Sequence, residues 1–358
     1  MRREQQGAGA CVVGALLVFT TLLLSACTAG ENHSGKSDVE PITDRPRPAV
    51  IAAETGRRPW LFERRDGLLI TTGHYHLRTT EDNPYILDRL PGFLESSLDR
   101  YASQFTKLPL PSRPMDVYLF ENRGQWKRFT ARFLGPQADL YLQIPRGGYS
   151  INGTAVLWQI GPRDTFSIAA HEGWHQYTQT MFRGRLPVWL EEGVATYMEG
   201  YKFRGKTPVF YPWANSERFD QLRDAEGAGT LLPLRQLLTS SPQQELQATD
   251  RRELNYYAQV WALTHFLAEA EGGKYRPGLN QLLKDAAAGT IGERLLDIYS
   301  PREAVAVVHN DRGLAVFRAY FGLDLKQVEN EYFRFIRQII SPGSKNRIVA
   351  GESPVNHD

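Results

Sequence analysis

Cysteine is nearly missing from this sequence: its 358 residues include two, Cys11 and Cys27. Past residue 27 there is no thiol, so no disulfide can staple the body of the chain and no cysteine can ligate a metal there. The core must hold together by packing alone. An excess of one charge is absent too. The formal net charge is +2, from 42 Lys and Arg against 40 Asp and Glu. No basic run stands free: "RRPWLFERR" mixes its arginines with aromatics and an acid, the pattern of a solvated surface. No nucleic acid partner is therefore expected. Long apolar runs are also lacking. The stretch at residues 12–24 falls short of the roughly 20 residues that a membrane span needs.

What is present is the composition of a globular protein, 42% hydrophobic and 23% charged, at a length that suits one large domain or two modest ones. The first residues stand apart. Arg2 and Arg3, the apolar run and the small residues after it have the order of a secretory signal. The end of that run, Leu24-Ser25-Ala26-Cys27, resembles the lipobox of bacterial lipoproteins. The resemblance implies a signal peptide at residues 1–26 and a mature chain that begins at Cys27. That cysteine would carry palmitate-type lipid on its thiol and amino group, holding the protein to a membrane in the bacterial cell envelope on the extracytoplasmic side. Residues 27–59 continue with glycine, serine, proline and charge, the composition of a flexible tether.

Periodic structure is expected over residues 60–340. "LLITTGHYHLRTT" alternates like a strand, and "PYILDRLPGFLESSLDRYASQF" has helical apolar spacing with Pro91 as a break. "MDVYLF" reads as a short buried strand and "RGQWKRFTARF" as an amphipathic helix. In "GGYSINGTAVLWQIG" the Asn152-Gly153 pair between β-prone runs marks a hairpin. Beyond Asp164 the chain turns mostly helical, and residues 341–358 read as a disordered tail. No internal repeat is visible. The expectation is an α+β fold: an N-terminal α/β part with a sheet and hairpin, then a helical part.

At the junction lies "HEGWHQYTQTMFRGRLPVWLEEG". Asp164 can cap a helix starting near Thr165. On that helix His171 and His175, four apart, project from one face and can converge on one metal ion. Zinc takes imidazole nitrogens at about 2.0–2.1 Å and uses three protein ligands in its catalytic sites. Glu172 lies where it can take a proton from an attacking water. A second helix, "VWLEEGVATYMEG" after Pro187, offers Glu191 and Glu192. Acids in a first turn also complement the helix dipole, which accounts for one of them.

The segment "PVWLEEGVATYME" resembles the "WLxEGxAxY" stretch of gluzincins, zinc peptidases with a His, His, Glu ligand set. That resemblance selects Glu192, the glutamate directly before glycine, and leaves Glu191 to solvent or the helix terminus. It implies one Zn²⁺ per chain, held by His171, His175 and Glu192. Metzincins fit less well, because Thr178 and Met181 stand where their glycine and third histidine fall. Peptide deformylases need a cysteine ligand. The Gly-x-Met-Glu-Asn motif of aminopeptidase-N-like enzymes is absent. "GHYHLRT", "VYLFENRGQW", "TFSIAAHEGWHQ", "LPVWLEEGVATY" and "YYAQVWALTHFL", in this order, are similar to peptidase-MA-like bacterial proteins of unassigned function. The likeness spans residues 74–340 and implies a zincin (gluzincin) fold with the His-Glu-x-x-His helix at the junction.

Gluzincins place a Tyr or His opposite the zinc. Tyr257, Trp261 and His265 share one helical stripe, which is also what core packing produces. Tyr257 is the expected oxyanion donor, with Tyr256 and His265 as rivals. Thr196, one turn past Glu192, is a candidate support for a ligand. The strand at residues 154–159 is expected to pair with an extended substrate unless it lies inside the sheet. The function expected is that of a lipid-anchored zinc metallopeptidase acting on peptide or protein substrates. The rivals are a non-catalytic zinc-binding envelope lipoprotein and a hydrolase of non-peptide amides or esters.

Overall fold

The computed structural model describes residues 54–355, apart from 243, 246–249 and 311. The signal segment, Cys27 and most of the tether lie outside the described residues. The strands are β1 (Gly56–Phe62), β2 (Arg65–Thr71), β3 (Tyr75–Thr79), β4 (Met115–Phe120), β5 (Gly148–Ile151) and β6 (Thr154–Trp158). They form one mixed sheet in the order β1-β2-β3-β4-β6-β5. β4 runs parallel to β3 and β6, and the other pairs are antiparallel.

Successive side chains of a strand point to opposite faces, and the sequence uses both faces. Val117, Leu119, Ala155 and Leu157 enter the main core. Phe120, Val156 and Trp158 alternate with them and meet Phe62, Trp126 and Tyr149 in a second, aromatic cluster. Helices α1 (Pro84–Leu87) and α2 (Leu90–Ser103) belong to the main core side; α3 (Arg123–Leu134) and α4 (Ala138–Leu142) belong to the aromatic side. The Trp126 indole of α3 donates to the Val156 carbonyl at 3.1 Å.

Next come α5 (Pro162–Met181) and α6 (Val188–Met198), then a two-stranded hairpin of β7 (Tyr201–Arg204) and β8 (Thr207–Phe210). The rest is helical: α7 (Ser216–Gly227), α8 (Leu234–Thr239), α9 (Asp250–Gly273), α10 (Arg276–Ala288), α11 (Ile291–Leu296), α12 (Pro301–Asn310), α13 (Arg312–Phe321), α14 (Leu325–Ile339) and α15 (Ser344–Ala350). The fold is thus α+β, as expected, with sheet before helices. No described helix is long and apolar enough to cross a membrane.

Several local readings need correction. "LLITTGHYHLRTT" is two antiparallel strands rather than one. The buried Glu95 carboxylate accepts from the Thr72 hydroxyl and the His74 backbone N–H, both at 2.6 Å, and so bends the chain between β2 and β3. Pro91 starts α2 rather than breaking it, since an N-terminal turn has no use for its missing N–H. The end of the stretch read as tether, residues 56–59, belongs to β1; Pro59 is accommodated there because β1 is an edge strand. The tail is not disordered as a whole: α15 buries Ser344 and Ile348, and Val355 is buried as well. The strand at residues 154–159 corresponds to β6, which is hydrogen-bonded on both sides by β4 and β5, so the free edge beside α5 belongs to β5.

Candidate metal centre

α5 starts one turn earlier than expected. Gly161 occupies the N-cap and Pro162 the first turn, while Asp164 lies inside that turn and pairs with Arg146. The helix runs unbroken through His171 and His175, whose ring centroids stand 4.9 Å apart. Its middle is fixed against α2, where the buried Tyr101 hydroxyl donates to the Ala170 carbonyl at 2.6 Å. A β-carbon on Gly173 would come within 2.6 Å of that hydroxyl, so the glycine inside the motif is a packing requirement. A second glycine plays the same part on α6. A β-carbon on Gly193 would fall 2.5 Å from Thr264 Oγ1 and 2.9 Å from the Val260 carbonyl, both on α9. That close approach seats α6 with Glu192 facing the histidines.

Among the described residues, His171, His175 and Glu192 form the one group whose ligand atoms all lie within 4.8 Å of one another. Glu192 Oε2 stands 3.5 Å from His171 Nε2 and 3.6 Å from His175 Nε2. That oxygen is buried and has no hydrogen-bond partner. Three donors each about 2.0–2.1 Å from a common centre sit about 3.3–3.4 Å apart in a tetrahedron. The cluster therefore fits a small tetrahedral cation, and a buried orphan oxygen between two ring nitrogens is unfavourable without one.

The other nitrogen of each ring is held by a carboxylate. His171 Nδ1 lies 2.9 Å from Glu199 Oε1, and His175 Nδ1 lies 2.9 Å from Glu191 Oε1. An ionised carboxylate only accepts, so both Nδ1 atoms donate and Nε2 of each ring is the atom left to face the centre. These acceptors are braced in turn. Asn215 Nδ2 and the Arg218 guanidinium donate to Glu199 at 2.8–3.3 Å, and the Thr178 hydroxyl donates to Glu191 at 2.6 Å. Glu191 is thus not left to solvent or to the helix terminus.

Electrostatics follow from this crowding. Burial opposes charge on His171, but the facing carboxylates of Glu192 and Glu199 outweigh it and hold its pKa at about 9. His175 is raised for the same reasons, with Glu192 and Glu191 opposing burial. Burial would raise Glu192; the two imidazoles instead pull it far below the ordinary carboxylate range. Glu199, also buried, is held at about 2 by Arg218 and His171.

Glu172 directly follows His171 on α5, and its charge acts on Tyr141 and Tyr257. Its carbonyl accepts from the Ser150 hydroxyl at 2.7 Å, which ties α5 to edge strand β5, and its carboxylate has no hydrogen bond or ion pair among the described residues. The Tyr257 ring lies 6.1 Å from that of His171, with the Arg218 guanidinium 5.1 Å from its centroid. Burial, then Glu192, raises the Tyr257 pKa well above 10, so the phenol keeps its proton and can donate. Its rivals point elsewhere. The buried Tyr256 hydroxyl donates to the Ser240 carbonyl at 3.4 Å. His265 is fully buried beneath Trp213 and bonded to Glu269, and Trp261 is core. The Thr196 hydroxyl bonds the backbone carbonyls of Glu192 and Gly193, not a ligand side chain.

Sequence reasoning missed Glu199, Arg218 and Tyr141. Glu199 had a signal, since seven positions after Glu192 it returns to the same helix face. Arg218 had none. Tyr141, on α4, is half-buried, and its pKa is raised by burial and then by the Glu172 charge.

Residues 165–284 match the profile of a family described as a protein of unknown function (DUF1570). The matched stretch runs from α5 into α10 and includes every residue of the cluster and its bracing. No curated protein and no solved structure matches the chain.

Proposed function

We propose that this protein is a zinc-dependent peptidase of gluzincin type, with His171, His175 and Glu192 as the protein ligands. The observation that carries this reading is the buried, unpartnered Glu192 Oε2 facing two Nε2 atoms. Zinc in such a site supplies a Lewis acid for the scissile carbonyl and acidifies water. Glu172 acts as general base on the attacking water and returns the proton to the leaving nitrogen as the C–N bond breaks. Tyr257 donates to the carbonyl oxygen as negative charge develops there. Glu199 and Glu191 hold the imidazole rings in the productive tautomer and orientation. Edge strand β5, tied to α5 through Ser150, offers an open backbone for an extended substrate, the part once expected of β6.

The zincin fold, the peptidase activity and anchoring through lipid on Cys27 all belong to this proposal. The anchor is checked by the mass of the N-terminal peptide from membranes: an unmodified Met1 terminus removes it. For the enzyme, the purified protein should carry about one zinc per chain and cleave members of a peptide library in a chelator-sensitive way. Glu172→Gln keeps shape and metal but removes the base, so zinc content should hold while turnover falls 10²–10⁴-fold, the usual worth of general acid–base catalysis. A zinc-loaded wild type that cleaves no peptide sinks the peptidase and leaves a binding module.

A further inference from the structure

Two hollows meet on the outer side of the metal centre. The inner one, about 420 Å³, is bordered by Ser167, Glu199, Arg218 and Tyr257, and so adjoins the site through the two residues that flank His171, Glu199 and Tyr257. The outer one, about 760 Å³, is lined by Tyr85, Tyr201, Phe203, Ile348 and Val349. They share Arg163, Tyr201, Ala214 and Ser216, which makes them a continuous groove along the first turns of α5.

The groove is built from three separate parts of the chain. Tyr85 and Tyr201 pack edge-on around Phe203, with ring centroids 6.3 and 5.4 Å from it. The Tyr201 hydroxyl donates to the Arg163 carbonyl at 2.8 Å and fixes this wall to α5. The opposite wall is α15, held by ion pairing of Lys345 to Asp220 at 2.7 Å and by Lys202 Nζ on the Ala350 carbonyl at 2.6 Å. Val349 stands 57% exposed on that wall.

The cations along the groove differ in one respect. Arg146 is paired with Asp164, Arg218 with Glu199, and Lys202 caps α15. Arg163, at the junction of the two hollows, has no carboxylate partner among the described residues and only a 3.5 Å contact to the Ser216 hydroxyl. Eight residues of helix separate it from His171, about 12 Å of rise. An extended polypeptide covers that distance in three or four residues.

We propose that the substrate is an extended polypeptide carrying an acidic residue three or four positions from the cleaved bond, which meets Arg163, followed by an aromatic or large aliphatic residue that seats between Tyr85, Phe203 and Val349. The inference rests on the peptidase reading and gives it a substrate class. Carboxylates such as Glu217 and Glu253 line the inner hollow but none lines the outer one, so a substrate carboxylate is directed to Arg163 at the junction and an apolar side chain to the aromatic pocket beyond it. One such cation is too little charge for a phosphate polymer, whose binding needs many cations.

The test uses the full chain loaded with zinc, a randomised dodecapeptide library and mass-spectrometric mapping of the cleaved bonds. Cleavage sites with the acidic-then-apolar pattern at that distance support the proposal. For such a peptide, Arg163→Glu and Val349→Asp should each lower kcat/KM about tenfold relative to a tetrapeptide too short to reach Arg163, the scale of one charge-assisted contact or one partly buried side chain. Both side chains are exposed, and melting curves matching wild type exclude misfolding as the cause. Cleavage with no preference beyond the residues flanking the bond, or an unaltered long-to-short ratio in both variants, overturns the groove and leaves the peptidase standing. If no peptide is cleaved, the peptidase reading falls and binding decides the groove. Fluorescent peptides of this pattern that bind wild type but not Arg163→Glu keep it, and binding indifferent to Arg163 removes it.

Discussion

Two buried histidines, His171 on α5 and His265 on α9, have matching surroundings on one side. Each sets Nδ1 against a glutamate, Glu199 at 2.9 Å and Glu269 at 3.0 Å. Each is nearly sealed from solvent, at 7% and 0% exposure. They differ at Nε2. In His171 it faces Glu192 at 3.5 Å with a second imidazole alongside. In His265 it has no polar partner, beneath a Trp213 ring stacked at 3.6 Å and beside Trp261. A carboxylate that orients an imidazole is thus a packing unit the molecule uses more than once. It becomes a candidate metal site where the second nitrogen meets other ligands beside a cleft.

That comparison can be broken most directly through metal content. His175→Ala should abolish zinc retention, a larger loss than the 10–100-fold typical of removing an outer partner. His265→Ala should keep about one zinc per chain and instead lower stability by about 1–3 kcal/mol, because Glu269 loses one of its hydrogen-bond partners and Trp213 its stack. Elemental analysis and melting curves read both. Zinc lost from His265→Ala would erase the distinction between the two histidines.

A smaller effect tests the orienting carboxylates. Glu199→Gln and Glu191→Gln leave all three ligands in place but weaken the hold on the rings, so zinc affinity should fall 10–100-fold in a chelator competition. Glu269→Gln, the matching change at His265, should leave affinity unaltered. Equal losses in all three variants would mean general destabilisation.

The smallest effect per step is that of pH. In the metal-free protein His171 keeps its proton up to about pH 9, above the ordinary imidazole value of 6.5, and His175 shifts the same way. A cation must displace the Nε2 protons, so it competes with them below about pH 9. Affinity should fall as pH falls below about 9, about tenfold per pH unit for each proton released. Titration with a metal-sensitive dye measures the slope. Affinity independent of pH from 6 to 8 would contradict the protonated, carboxylate-held histidines.

What was legible in the sequence followed from spacing within one element. His171 and His175, four apart on a proline-free run, had to share a helix face, and Asn152-Gly153 between two β-prone runs had to turn; Asn152 does take a left-handed φ of 50°. "MDVYLF" reads as a short buried strand, and in β4 Met115, Val117, Leu119 and Phe120 are buried. Where a reading depended on what lay across from the residue, it went astray or stayed silent. Glu191 is left to solvent or the helix terminus by the sequence because nothing local places it 2.9 Å from His175, 16 positions earlier. Arg218 meets Glu199 across 19 positions and the β7–β8 hairpin, and no spacing rule links them. α15 is only seven residues long and has too weak a period to stand out in a polar tail, but Ile348 is buried once other elements surround it.

The sequence by itself therefore determined the helix that carries both histidines and Glu172, the buried strand β4, the turn at Asn152-Gly153, and the absence of thiols from the body. Dihedral preference and side-chain period act over a few residues and need no partner. Only the tertiary structure decided that β5 rather than β6 holds the free edge, that Glu199 with Arg218 and Glu191 with Thr178 brace the two imidazoles, and that the Tyr257 ring packs beside His171. Each of those is a meeting of groups far apart along the chain. Such meetings are fixed by how closely α6 can approach α9 at Gly193 and by which buried charges find a counter-charge, terms that exist only once the whole core has closed.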